Sequence, residues 1–187
     1  EPRGWTLDLE QVTAVDAQGV PSAGRHAALR MRFEGSSPRV PAGERRLPGW
    51  RNELAGRDAD AWFAGLPAFA HQRYTELYPG VDVLVRGDEG QVRYDLMLGP
   101  GADLSAVVVS VAGALGLSLE SDGSLAIDTE LGTLVQPAPV TWTVLADGTR
   151  QPVDCGYVLL GDGRFGFEAP GFDGATPLVV DPTLEWG

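Results

Sequence analysis

Apolar and polar side chains alternate through most of this chain. In "WTLDLEQV", Trp5, Leu7 and Leu9 fall on one face, and in "ALRMRFEG", Leu29, Met31 and Phe33 do the same. A period of two marks a half-buried β-strand, because successive side chains of an extended backbone point to opposite sides. Further on, Leu117 and Leu119 alternate, "ESDGS" turns the chain, and Leu125 and Ile127 alternate again. Asp-Gly between two such runs is a strong hairpin signal, since both residues tolerate the positive φ of tight turns. It recurs at Asp147-Gly148 and at Asp162-Gly163. The second half is therefore expected to be antiparallel β-structure.

The stretch "YPGVDVLVRGDEGQVRYDLMLGPGAD", Tyr78 to Asp103, repeats the pattern around a cluster of acids. Pro79 fixes φ and Gly80 permits a turn. Val81 and Val83 share one face, with Asp82 on the other. Asp88 and Glu89, between Gly87 and Gly90, form the tip of a hairpin. Tyr94 and Leu96 then share a face, and Asp95 takes the opposite one. After Pro100 and Gly101, Asp103 is placed to N-cap a single helical turn. Other helix is scarce. "GRDADAWFAGLP" has helical composition but is ended early by Gly65 and Pro67. Residues 34–49, "EGSSPRVPAGERRLPG", read as a long surface loop. No repeat with a period of about 20 to 50 residues is present, so no solenoid or propeller is encoded here. The expected fold is all-β: an antiparallel β-sandwich of two packed sheets with many short hairpins and little helix. One domain over residues 1–187 is expected, with sub-sheets over 1–75 and 76–187 as its alternative division.

Composition narrows the partners. The chain of 187 residues can bury a real core, and Gly 25 and Pro 14 favour short elements joined by tight turns. The net charge is −12 and uneven. Residues 1–93 hold 12 Arg against 13 acids, or −1; residues 94–187 hold 2 Arg against 13 acids, or −11. An acidic half repels phosphate backbones, which argues against a nucleic-acid partner. Every basic side chain is Arg, which reads as the mark of a GC-rich genome. The run "AVVVSVAGALGL" is too short and glycine-broken to span a bilayer. The start, Glu-Pro-Arg, reads as that of a mature or excised piece of a larger protein.

Candidate chemistry comes next. Strand-edge and turn carboxylates such as Asp82, Asp88, Glu89 and Asp95 are expected to be solvated. The sharper alternative, a glycosidase pair, needs two acids opposed across a cleft, one with a raised pKa, and no aromatic run marks a sugar subsite beside them. Calcium is the one cofactor left open, because "GRDADAW" (Asp58, Asp60) and "DGSLAIDTELG" cluster oxygen ligands, though neither has EF-hand spacing. His26 and His71 stand far apart without paired cysteines, so zinc is not indicated. Cys155 reads as a small buried residue, with no cation nearby to lower its pKa. No G-x-S-x-G elbow and no phosphate-cradling glycine loop occurs. The five tryptophans (Trp5, Trp50, Trp62, Trp142, Trp186) are expected mainly to anchor the core, with a sugar-stacking platform as the alternative.

The same central stretch resembles the signature of a bacterial all-β domain of unknown function that precedes β-propeller repeats (SBBP-type) in secreted and cell-surface proteins. The resemblance rests on Tyr78, Pro79, Gly80, Val81 and Asp82, then Tyr94 and Asp95, then Pro100, Gly101, Ala102 and Asp103. It extends upstream through "LPGWRNELAGRDADAWFAGLPAFAHQRY". Downstream it takes in "SDGSLAIDTELGTL", "QPAPVTW", "FGFEAPGFD" and "PLVVDPTLEW", with Asp181 and Pro182 near its end. Two departures stand out. Leu84-Val85 replaces an aromatic pair, and a strand that often comes before "RGWTLDL" is missing, which leaves the first sheet short of an edge partner.

The resemblance implies an extracellular, non-catalytic structural or interaction module, with a β-propeller as its neighbour in the parent chain. It brings no catalytic residues. Glycan or other ligand binding is the alternative; calcium-stabilised adhesion and glycoside hydrolysis are further ones. Another surface protein is a further partner class. At the C-terminus, Leu178–Val180 are expected as a buried strand. After it, "TLEW" is expected to leave the domain as an extended connector, with Trp186 poorly packed.

Overall fold

The computed structural model describes residues 1–15, 21–53, 62–88 and 91–186. Glu89, Gly90, Asp58 and Asp60 lie outside the described residues, as does the Trp186 side chain. The strands in chain order are β1 (Gly4–Val15), β2 (Pro21–Glu34), β3 (Ala42–Glu53), β4 (Phe63–Tyr78), β5 (Val81–Asp88) and β6 (Gln91–Leu98). A 3-10 turn (Leu104–Ala106) leads to β7 (Val108–Ala112), β8 (Gly116–Leu119), β9 (Leu125–Thr129), β10 (Gly132–Gln136) and β11 (Val140–Val144). The remainder are β12 (Arg150–Pro152), β13 (Gly156–Gly161), β14 (Arg164–Glu168), β15 (Leu178–Asp181) and β16 (Thr183–Trp186). All pairings among them are antiparallel.

One sheet has the order β1-β2-β7-β14-β13. It draws on both ends of the chain, so the division into sub-sheets over 1–75 and 76–187 does not hold. The other sheet branches at β6. One path runs β3-β4-β5-β6, and from β6 it continues either to β15-β11-β12 or to β16-β10-β9-β8. The branch exists because β15 covers Leu96–Leu98 of β6 while β16 covers Val92–Arg93. Asp181-Pro182 is the corner between these two short strands, and Pro182 accepts a hydrogen bond from the Tyr94 amide at 3.4 Å. Proline suits that corner, since it holds the preceding residue extended and has no N–H to leave unpaired.

The alternating runs bury the predicted faces. Leu29, Met31 and Phe33 are at most 1% exposed and meet Val81, Val83, Tyr94 and Leu96 from the branched sheet. Trp5 packs on Phe33 and Tyr94 with ring centroids 5.6 and 5.1 Å away. All three Asp-Gly hairpins form, as β8–β9, β11–β12 and β13–β14.

Three expectations need correction. Ala42–Gly49 is not loop but part of β3, paired with β4. Positive φ at Arg45 and Gly49 and a register shift between Arg46 and Trp50 absorb Pro48, which is tolerated because β3 is an edge. Phe63–Pro67 of the helix-like run is strand as well. Finally, "TLEW" does not leave the domain: β16 is hydrogen-bonded between β6 and β10, and Leu184 is 4% exposed. The connector reading fails because Thr183–Trp186 run as a strand within this sheet and Leu184 enters its core.

Candidate functional site

The signature residues fall into three groups, each held by local chemistry. The first is the turn after β4. Tyr78 donates from its hydroxyl to the Glu34 carbonyl at 2.7 Å, tying the end of β4 to β2 in the other sheet. Gly80 sits at φ +73, where a Cβ would lie 3.1 Å from that of Ala102. Its carbonyl accepts from the Gly99 amide at 2.9 Å, so Pro79-Gly80 and Pro100-Gly101 close against each other. Gly101, at φ +81, donates to the Gly174 carbonyl at 2.9 Å. Asp103 caps the 3-10 turn as expected, accepting from the Ser105 amide at 2.9 Å and its hydroxyl at 2.6 Å. Asp82 accepts from the Glu76 amide at 2.9 Å and pairs with Arg73 at 3.6 Å. Glu76 itself has φ +52, a conformation the Asp82 contact helps to hold.

The second group is a buried polar network. The Gln136 side-chain amide donates to the hydroxyls of Tyr94 and Tyr157, both at 2.9 Å, and Tyr157 donates to the Pro137 carbonyl at 2.8 Å. Burial pushes both phenols above their ordinary range. This network links the two sheets through the core. Gln136 and Tyr157 carry no pattern in the sequence that sets them apart, and only the fold brings them to Tyr94.

The third group is the carboxylate corner. Asp95 accepts from Arg86 at 2.5 Å, and the same guanidinium nitrogen lies 3.5 Å from Asp181. Arg93 closes the far side, 4.0 Å from Asp181 and donating to Thr183 at 2.9 Å. Asp95 is 9% exposed, so the expectation that it is solvated is wrong. Alternation correctly puts it opposite Tyr94, but the β15–β16 corner, some ninety residues later, brings Asp181 beside it. Burial raises the Asp95 pKa, with Arg86 opposing and Asp181 reinforcing the rise. Asp181 Oδ1 and Arg86 Nε are buried without a hydrogen-bond partner. The two acids are bridged by arginine, whereas glycoside chemistry requires them to be separated by a substrate-sized gap.

Other candidates are plainly placed. Among the described residues no group of three or more His, Cys, Asp or Glu could hold a metal ion, and no helix is long and apolar enough to cross a membrane. His26 lies 3.9 Å from Glu10 and His71 3.4 Å from Arg45, in different parts of the fold. Cys155 is half-buried, and burial pushes its thiol pKa up, the opposite of an activated nucleophile. An open depression of about 650 Å³ lies between the Pro100–Asp103 and Ala169–Asp173 loops. The acid it shares with the signature, Asp103, is already spent on Ser105.

The tryptophans depart from expectation. Trp5 anchors the core, and Trp142 is half-buried under Arg150, whose guanidinium is 4.8 Å from its ring centroid. Trp50 and Trp62 are 65% and 45% exposed, together with Phe63 at 57%. They sit on the outer part of β3–β4, where Phe63–Ala70 pair with β3 but with no part of β5. This arm holds Arg46 opposite Phe69 and Trp50 opposite Pro67, with the Arg46 guanidinium 4.5 Å from the Trp50 centroid. Phe69 lies flat over Gly43, where a Cβ would come within 2.5 Å of the ring.

The sequence model of a family described as a domain of unknown function, DUF7948, matches residues 4–183. No curated protein and no solved structure matches the chain.

Proposed function

Starting from the premise that the chain belongs to the DUF7948 family of domains of unknown function, we propose that it is a non-catalytic structural or interaction module of a secreted or cell-surface bacterial protein. A β-propeller is its proposed neighbour in the parent chain. One observation carries the non-catalytic reading: the side chains of the signature are spent inside the fold. Tyr78 and Tyr94 staple the sheets, Asp82 and Asp103 hold backbone amides, and Asp95 and Asp181 share Arg86. Secretion and the propeller neighbour rest on the sequence resemblance.

The test is a screen of the purified chain against glycosidase, esterase and peptidase substrates, with no turnover above buffer as the expected result. Turnover abolished by Asp95→Asn or Asp181→Asn overturns the reading. The exposed Trp50 favours a second reading, glycan binding by stacking on the arm. A blue shift of tryptophan emission on adding polysaccharide, absent in Trp50→Ser, supports it.

A further inference from the structure

Among the described residues, β3 and β8 are end strands of the branched sheet, and the side chains they expose are chemically complementary. We propose that the chain docks onto a second copy of itself head to tail, the β3–β4 arm of one copy against the β8 edge of the next. The proposal names the partner for the interaction-module reading and rests on it.

β3 and β8 are the two ends of the path β3-β4-β5-β6-β16-β10-β9-β8, so one molecule cannot bring them together. On the arm, Leu47, Trp50 and Phe69 are 44%, 65% and 36% exposed, beside the exposed Arg45 and Arg46. At the other edge, Leu115 and Leu119 are 69% and 43% exposed, followed at once by the exposed Glu120 and Asp122. β13 lies alongside β8 and adds Leu159, 40% exposed, to this patch; Asp162 beyond it is already paired with Arg164 at 3.4 Å, so the acidic rim is Glu120 and Asp122. Each patch is apolar at its centre and charged at its rim, with opposite sign, which is the arrangement that selects a partner and suppresses like pairing.

Protein folds usually blunt a free edge with charge, proline or a bulge. β3 carries the bulge and Pro48, which break continuous strand addition, yet the arm keeps Trp50 of β3 and Phe69 of β4 exposed. The contact is therefore made by side chains and not by extending the ladder. Among the described residues, Phe63–Ala70 pair with β3 alone, and two-stranded ribbons are marginal in water unless something packs on them. An arm-to-arm contact would set Arg45 and Arg46 against their own copies. A contact between unlike patches is heterologous, so it builds an open chain or a ring.

The experiment is sedimentation of the whole chain at rising concentration and low salt. Two variants are made at exposed positions: an arm variant, Arg45→Glu with Trp50→Ser, and an edge variant, Leu115→Ser with Glu120→Arg. The wild type should grow in mass with concentration and shrink as salt is added. Each variant alone should remain a monomer. Mixed one to one, they should form a dimer that cannot extend, because one intact arm meets one intact edge. Circular dichroism confirms that both variants are folded. A wild type that stays monomeric at high concentration and low salt overturns the self-docking, while the substrate screen decides the module reading separately. An edge variant that still dimerises by itself overturns it too, in favour of an arm-to-arm contact.

Discussion

The four tyrosines, Tyr74, Tyr78, Tyr94 and Tyr157, are each no more than 5% exposed, and burial raises every phenol. Tyr74 and Tyr78 are pushed up to about 12. A tyrosine whose folded pKa lies above its unfolded value near 10 contributes stability that is complete below about pH 10 and is lost as pH rises towards the folded value. An ultraviolet titration of the phenolate band should therefore show little ionisation at pH 10. All four groups should then appear in one step that coincides with loss of the β-sheet signal. Phenolate growing smoothly around pH 10 in a folded chain would contradict the burial. Asp95 behaves in the same sense at acid pH. Its folded pKa is raised by burial, so its contribution to stability falls as pH rises through the carboxylate range. Asp95→Asn should accordingly make the slope of unfolding free energy against pH more positive as pH rises above the ordinary Asp value of about 4, measured by urea titration at each pH. At this scale the sequence places side chains on the correct face but not in the correct environment. Tyr94 and Asp95 alternate as read, yet nothing near them predicts that Gln136 or Asp181 completes their surroundings.

Between elements, local signals proved reliable and long-range ones were silent. The Asp-Gly turns and the alternation of β1, β2, β5 and β6 were legible because each depends on residues a few positions apart. β3 was illegible because Pro48, Gly49 and the Arg45-Arg46 pair break alternation, and only pairing with β4 holds it extended. β16 was legible as extended chain but not as a strand of the sheet, since its partners β6 and β10 are set by the corner at Asp181-Pro182. A truncation tests its place. Ending the chain after Pro182 removes Leu184 from the core and leaves the facing edges of β6 and β10 unpaired. Loss of one buried leucine costs about 2–5 kcal/mol before any hydrogen bonds are counted. The truncated chain should therefore unfold at least about 3 kcal/mol more easily in urea, or fail to fold. An unchanged midpoint would restore the connector reading of "TLEW".

For the molecule as a whole, the −11 balance of residues 94–187 sets a self-repulsion that cations relieve either by general screening or by binding at a site. The placement of the acids separates the two. Asp122, Asp147 and Asp173 each give an oxygen to a backbone amide two residues ahead, at 3.0, 2.8 and 2.9 Å. Asp128 gives one to the Thr133 hydroxyl at 2.7 Å. Such carboxylates are turn-builders, separately placed, and a calcium ion needs six to eight oxygens converging on one point. Screening requires no convergence and depends only on ionic strength. Raising sodium chloride should therefore raise the melting temperature, and calcium chloride at the same ionic strength should raise it by the same amount. The comparison is best made on the arm variant described above, so that salt acts on the fold without also dissolving contacts between copies. A midpoint several degrees higher in calcium, reversed by a chelator, would mean that acids from separate turns do meet around an ion, and the dispersed-charge account would fall.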